Sequence, residues 1–247
     1  MNEPISPFDT TDDSVAALRS WTIEECQLVP WGSNYTFAVV LRDPAGGRDD
    51  QIGIYKPRAG EAPLWDFPPG SLYQREHAAF LLSEALGWRF IPETVIRDGP
   101  HGIGTVQRYI EPEPDVHYFN LREQLREHRA ELQRVALFDL LVNNADRKAG
   151  HCFRGKVDGR IWGIDHGLTF NVQPKLRTVI WEFCGEPIAD ELLEQVLAVA
   201  TDERIGASLR PHLDRLEIQA LRGRAERIVD AGIFPELNPR RNIPYGW

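Results

Sequence analysis

The hydrophobic period of the chain changes near residue 110, and that change limits the fold more than any single motif. From "TIEECQLVPWGSNYTFAVVLRD" to "QIGIYKPR", β-branched and aromatic residues alternate with polar ones, interrupted at Pro30, Trp31, Gly32 and Ser33 and again at "DPAGGRDD". Two further runs, "ETVIRDG" and "GIGTVQRYI", meet at a Gly-Pro-His-Gly turn. The pattern predicts antiparallel strands. After the connector "EPEPDVHYFN" the period is helical. "LREQLREHRAELQRVALFDLLV" predicts one long amphipathic helix that becomes more apolar toward its end, and "ADELLEQVLAVA" and "LEIQALRGRAERIVDAG" predict two more. "DDSVAALRSW" predicts a short helix capped by Asp12, Asp13 or Ser14, and "RIWGIDHGLTF" a short strand and turn. In "REHAAFLLSEALGW" the residues Glu76, Ala79, Phe80 and Ser83 share one helix face, which turns Glu76 toward whatever Phe80 packs on. The expectation is an α+β chain of two lobes in a single domain spanning 1–247. A small antiparallel β-rich lobe covers about 15–110. A hinge falls at about 108–114 and a larger helical lobe covers about 115–247.

Charge and cysteine usage exclude several functions. With 28 Lys and Arg against 37 Asp and Glu, the net charge is −9, which disfavours a general nucleic-acid binder or a surface that clings to anionic lipid. Cys26, Cys152 and Cys184 are odd in number and far apart, so neither a disulfide framework nor a structural zinc site is expected, and the chain reads as a reduced, cytoplasmic protein. No apolar run approaches the roughly 20 residues of a membrane helix, and the acidic N-terminus has no export signal.

Four features follow one another in an informative order. "PWGSNYTF" is a small-residue turn whose backbone N–H groups can face a phosphate. Lys56 stands inside a strand, Glu76 on the next helix, and Asp146 and Asp165 stand 19 residues apart after the long helix. Each alone has an ordinary explanation. A strand lysine keeps an edge soluble, a first-turn glutamate suits the helix dipole, and an Asp-Arg pair at the surface contributes only about 0 to 1 kcal/mol. Together they match what phosphoryl transfer needs: a lysine on the phosphates, a glutamate holding that lysine, one aspartate for the attacking hydroxyl and one for the metal. A zinc site from His151, Cys152, Asp165 and His166 has the wrong spacing, G-x-x-x-x-G-K-[ST] is absent, and Cys152 has no evident base.

"IYKPRAGEAP", "NNADRKAGHC" and "IDHGLTF" resemble the lysine strand, catalytic loop and metal-binding segment of the phosphatidylinositol 3-/4-kinase-like branch of the protein-kinase-like superfamily. The similarity is greatest to the compact type II phosphatidylinositol 4-kinase pattern and covers about residues 28–185. It implies ATP with Mg²⁺ or Mn²⁺. Asp146 would be the catalytic aspartate, Lys56 would contact the phosphates and Glu76 would pair with Lys56. Gly32, Ser33 and Asn34 would cover the phosphates, and Gln107, Arg108, Tyr109 and Ile110 would meet the adenine. Asp165 would ligate metal together with His151. The acceptor hydroxyl would belong to an inositol-type or other small polar molecule, a lipid headgroup or a protein, and Lys175 and Arg177 stand where an anionic acceptor could be held. His151 is a departure, since the kinase pattern has Asn five residues past the catalytic Asp. It keeps open a catalytically weak pseudokinase that acts as a nucleotide- or partner-binding module, and nucleotidyl transfer is a third reading. Oligomeric state is not legible in the sequence.

Overall fold

A computed structural model of the chain describes residues 13–30, 32 and 34–245, so the expected cap Asp12 and the loop residues Trp31 and Ser33 lie outside the described residues. Helix α1 (Asp13–Ser20) is followed by strands β1 (Thr22–Val29), β2 (Thr36–Arg42) and β3 (Gln51–Pro57). Helix α2 (Leu72–Ala85) then precedes β4 (Thr94–Gly99) and β5 (Gly102–Arg108). The strands form one antiparallel sheet in the order β1-β2-β3-β5-β4. Val15, Leu18 and Trp21 from the α1 region pack with Val39, Leu41, Tyr55, Val95 and Val106 of the sheet. Side chains alternate along a strand, so Tyr55 in this cluster leaves Ile54 and Lys56 for the other face.

Helix α2 ties this sheet to the rest of the molecule. Its Ala79, Phe80 and Leu82 belong to the main core together with Leu137, Phe138 and Leu141, while Glu76 and Ser83 are also buried. The helix face expected from Glu76, Ala79, Phe80 and Ser83 is buried, as part of a wider buried surface that also takes in Arg75, Ala78 and Leu82.

The structure departs from the sequence pattern after residue 110. "EPEPDVHYFN" is no mere connector: β6 (Pro112–His117) pairs with β7 (Cys152–Gly155), which pairs with β8 (Ile161–Gly163), making a second antiparallel sheet. The single long helix is two, α3 (Tyr118–Glu123) and α4 (Leu125–Val142), broken at Gln124 with φ −106° and ψ 37°. Between Leu121 and Leu132 no residue is fully buried, so no apolar stripe holds one continuous helix against the core there. Helices α5 (Asp190–Thr201), α6 (Glu203–Leu209) and α7 (Arg215–Ala231) complete the chain. The unexpected α6 is short and starts at Asp202, whose side chain accepts from the Arg204 N–H. Among the described residues, no helix is long and apolar enough to cross a membrane.

Candidate active site

A cavity of about 720 Å³ is lined by residues of both sheets and of the segments that follow α4 and β8. Gly32, Asn34, Lys56, Gln107, Arg108, Tyr109, Ile110, Asp146, His151 and Asp165 all line it. Glu76 stands behind Lys56, and Ser33 is outside the described residues. Residues more than 100 positions apart in sequence are thus gathered around one space.

Lys56 is the junction. Its Nζ lies 3.1 Å from Glu76 Oε2 and 3.0 Å from Asp165 Oδ1. Burial works against the lysine charge, but Asp165 and Glu76 outweigh it and hold the Lys56 pKa above the ordinary lysine value. Glu76 Oε1 also accepts from the His166 N–H at 3.1 Å, so α2 touches the Asp165 segment directly as well as through Lys56. Lys56 in turn holds the Asp165 carboxyl far below the usual carboxylate range, against the opposing effect of burial. Asp165 has φ +62°, a left-handed conformation costing a non-glycine residue about 1 kcal/mol.

Asp146 is set by a polar skeleton behind it. α4 ends at Asn143, which has φ +55°; its Nδ2 donates to the Asn171 and Gln173 carbonyls, and its Oδ1 accepts from the Lys175 N–H. Asn144 donates to Asp139 at 2.8 Å and accepts from the Asp146 N–H at 3.0 Å. Arg147 is fully buried. It bonds both oxygens of Asp139, the His151 and Ile164 carbonyls, and His166 Nε2. Asp146 itself faces the cavity with Lys148 Nζ 3.0 Å from its Oδ2. Burial raises the Asp146 pKa, with Lys148 opposing the rise. Burial also lowers the His151 pKa, although Asp165 works the other way.

Two groups act differently from their sequence appearance. Gln107 directs its amide to Thr94 and Arg108 its guanidinium to Glu93 and the Trp162 ring. The Arg108 and Tyr109 N–H groups bond the Glu93 and Ile52 carbonyls, whereas the Ile110 N–H has no partner among the described residues. Lys175 pairs with Asp66 at 2.7 Å and lies over the Trp65 ring, and Arg177 lies over Tyr245. Neither is among the residues lining the cavity, and Lys148 is the cation that meets Asp146. Sequence reasoning passed over Lys148, Asn144 and Asp139. The last carried a signal, because an aspartate inside the apolar "VALFDLLV" requires a buried partner.

No family model matches the chain. Among solved structures, the Golgi casein kinase with Mn/ADP bound superposes with a TM-score of 0.53 at 15% identity, over 92% of this chain and 79% of that one. Hydra Fam20 with sugar gives 0.53 at 16% identity over 90% and 89%. The fold is therefore the two-lobed protein-kinase-like α+β fold. Protein Rv2133c of Mycobacterium tuberculosis (strain ATCC 25618 / H37Rv) is 37% identical over 95% of each chain. At that identity and coverage, the chain belongs to the same family as Rv2133c.

Proposed function

We propose that this protein is an ATP-dependent phosphotransferase that moves the γ-phosphoryl group to a hydroxyl acceptor. The observation carrying the reading is that Lys56 Nζ stands within 3.1 Å of both Glu76 and Asp165 in a cavity that Asp146 also lines. A lysine fixed between two carboxylates is a positioned point charge for nucleotide phosphates. Asp146, with its raised pKa, orients the acceptor hydroxyl and takes its proton. Lys148 then holds the charge of the phosphoryl oxygens beside Asp146. Gly32, Ser33 and Asn34 would cover the phosphates, and the adenine edge would meet the chain at Ile110, whose N–H has no partner among the described residues.

The donor set fits a divalent cation. Asp165 offers a carboxylate oxygen and His151 an imidazole nitrogen 3.2 Å from it. Among the described residues no three or more His, Cys, Asp or Glu side chains gather around one point, so phosphate oxygens and water would have to complete the shell of a bound ion. Asp165 and His151 would hold a Mg²⁺ or Mn²⁺ ion, which would supply neutralisation of phosphate charge there.

In this reading the chain is one cytoplasmic kinase-like domain, its lobes meeting near 108–114, and its acceptor is an inositol-type or other small polar molecule, a phosphoinositide headgroup or a protein hydroxyl. Lys175 and Arg177 are not among the residues lining the cavity, so a strongly anionic acceptor is the less favoured of these. The test is an acceptor panel with ATP that follows ADP and pyrophosphate separately. ADP release that depends on acceptor and disappears in Asp146→Asn supports the reading, and pyrophosphate release overturns it in favour of nucleotidyl transfer. His151 in place of Asn favours a second reading, a pseudokinase. Nucleotide binding with no turnover on any acceptor would select it.

A further inference from the structure

Five residues past Asp146 the chain presents a ring nitrogen instead of an amide oxygen, and the surroundings decide which nitrogen carries the proton. His151 Nδ1 lies 3.0 Å from the Asp146 carbonyl oxygen. A carbonyl oxygen can only accept, so the proton belongs on Nδ1. The Lys148 N–H also approaches Nδ1, but from 3.4 Å, at the limit of hydrogen bonding. In the neutral ring that carries this proton, Nε2 presents its lone pair 3.2 Å from Asp165 Oδ2, which is also an acceptor. The other oxygen, Oδ1, is taken by Lys56. Two acceptors at this separation repel unless a proton or a metal ion lies between them, so the pair is a place that a cation can occupy. The spacing suits that role, because neighbouring donors of an octahedral ion with bonds of about 2.1 Å stand about 3 Å apart. A backbone carbonyl holding the far ring nitrogen is the usual outer partner of a metal-binding histidine.

We propose that His151 makes this centre selective for Mn²⁺ over Mg²⁺, an inference that rests on the phosphotransferase reading for what the ion is used for but not for its binding. Imidazole nitrogen suits first-row transition ions, whereas Mg²⁺ favours an all-oxygen shell and gives up water reluctantly. His151→Asn exchanges the nitrogen for an amide oxygen and removes the basis of the preference.

The test is calorimetric titration of MnCl₂ and of MgCl₂ into the full chain, with and without a non-hydrolysable ATP analogue, for the native protein and for His151→Asn. The native protein is expected to take Mn²⁺ at least about tenfold more tightly than Mg²⁺, and His151→Asn to lose about tenfold in Mn²⁺ affinity while keeping Mg²⁺. A Mn²⁺ to Mg²⁺ ratio unchanged by the substitution overturns the proposal. Because the variant must fold to be informative, pulsed electron paramagnetic resonance of Mn²⁺ bound to the native protein is a second readout. Histidine ¹⁴N modulation that becomes ¹⁵N modulation after ¹⁵N-histidine labelling and disappears in His151→Asn places His151 on the ion, and absence of histidine modulation in the native protein overturns the proposal. Selective Mn²⁺ binding without any nucleotide binding would sink the phosphotransferase reading and leave this inference standing.

Discussion

Asp146 and Arg147 are neighbours in sequence and opposites in environment. Arg147 is fully buried, with its fork closed on Asp139 and its other N–H groups on two carbonyls and His166. Asp146 faces the cavity, near Asp165 and His151, and among the described residues its ion pair is with the partly exposed Lys148. Saturation distinguishes the two. A charge whose every valence is met inside the protein holds the loop, and a charge set with open valences facing a cavity is available for a ligand.

The largest effects should fall on opposite properties of these neighbours. Asp146→Asn is expected to reduce turnover about 10²- to 10⁴-fold with the folding stability changed by less than about 1 kcal/mol, measured by steady-state ADP release and urea unfolding. Arg147→Met should leave Asp139 as a buried unpaired charge and cost about 3–5 kcal/mol of stability in the same unfolding experiment. The double change Arg147→Met with Asp139→Leu should recover much of that loss, because paired removal leaves no orphan charge. A single change costing under about 1 kcal/mol would erase the distinction. Next in size, Lys148→Ala should slow turnover about tenfold, or about 1.4 kcal/mol, and leave stability nearly untouched.

A separate effect, read through pH, concerns a part-buried pair, His77 on α2 and His212 after α6, whose ring nitrogens lie 3.1 Å apart. Burial lowers the His77 pKa to about 3, with His212 and Arg19 adding to the effect, and burial lowers that of His212 to about 4. Both rings are neutral in the folded state but titrate near pH 6.5 once unfolded. Below that pH the unfolded chain binds more protons, so stability should fall with falling pH between about 6.5 and 4, by up to about 1.4 kcal/mol per pH unit for each proton. His77→Gln should flatten the urea-midpoint profile over that window.

What was legible in the sequence follows the range of the interactions. Lys56, Glu76, Asp146 and Asp165 show through because strand alternation, a helix face and short loop motifs are local signals, and the fold brings the four together. Lys175 meets Asp66 and Arg177 meets Tyr245 across long sequence separations, contacts that no local pattern announces. β7 is four residues long and pairs with β6 and β8 across 30 or more positions on one side, so its own composition gives little sign of it. The break at Gln124 is likewise tertiary, as the helical pattern runs through a stretch that the core does not hold.

The most direct measurement is calorimetric titration of ATP into the native protein with Mn²⁺, with Mg²⁺ and without metal, repeated on Asp165→Ala. The account predicts saturable binding that requires a divalent ion and is lost in Asp165→Ala, while Asp146→Asn still binds. Binding equally strong in Asp165→Ala, or none with either metal, would contradict it.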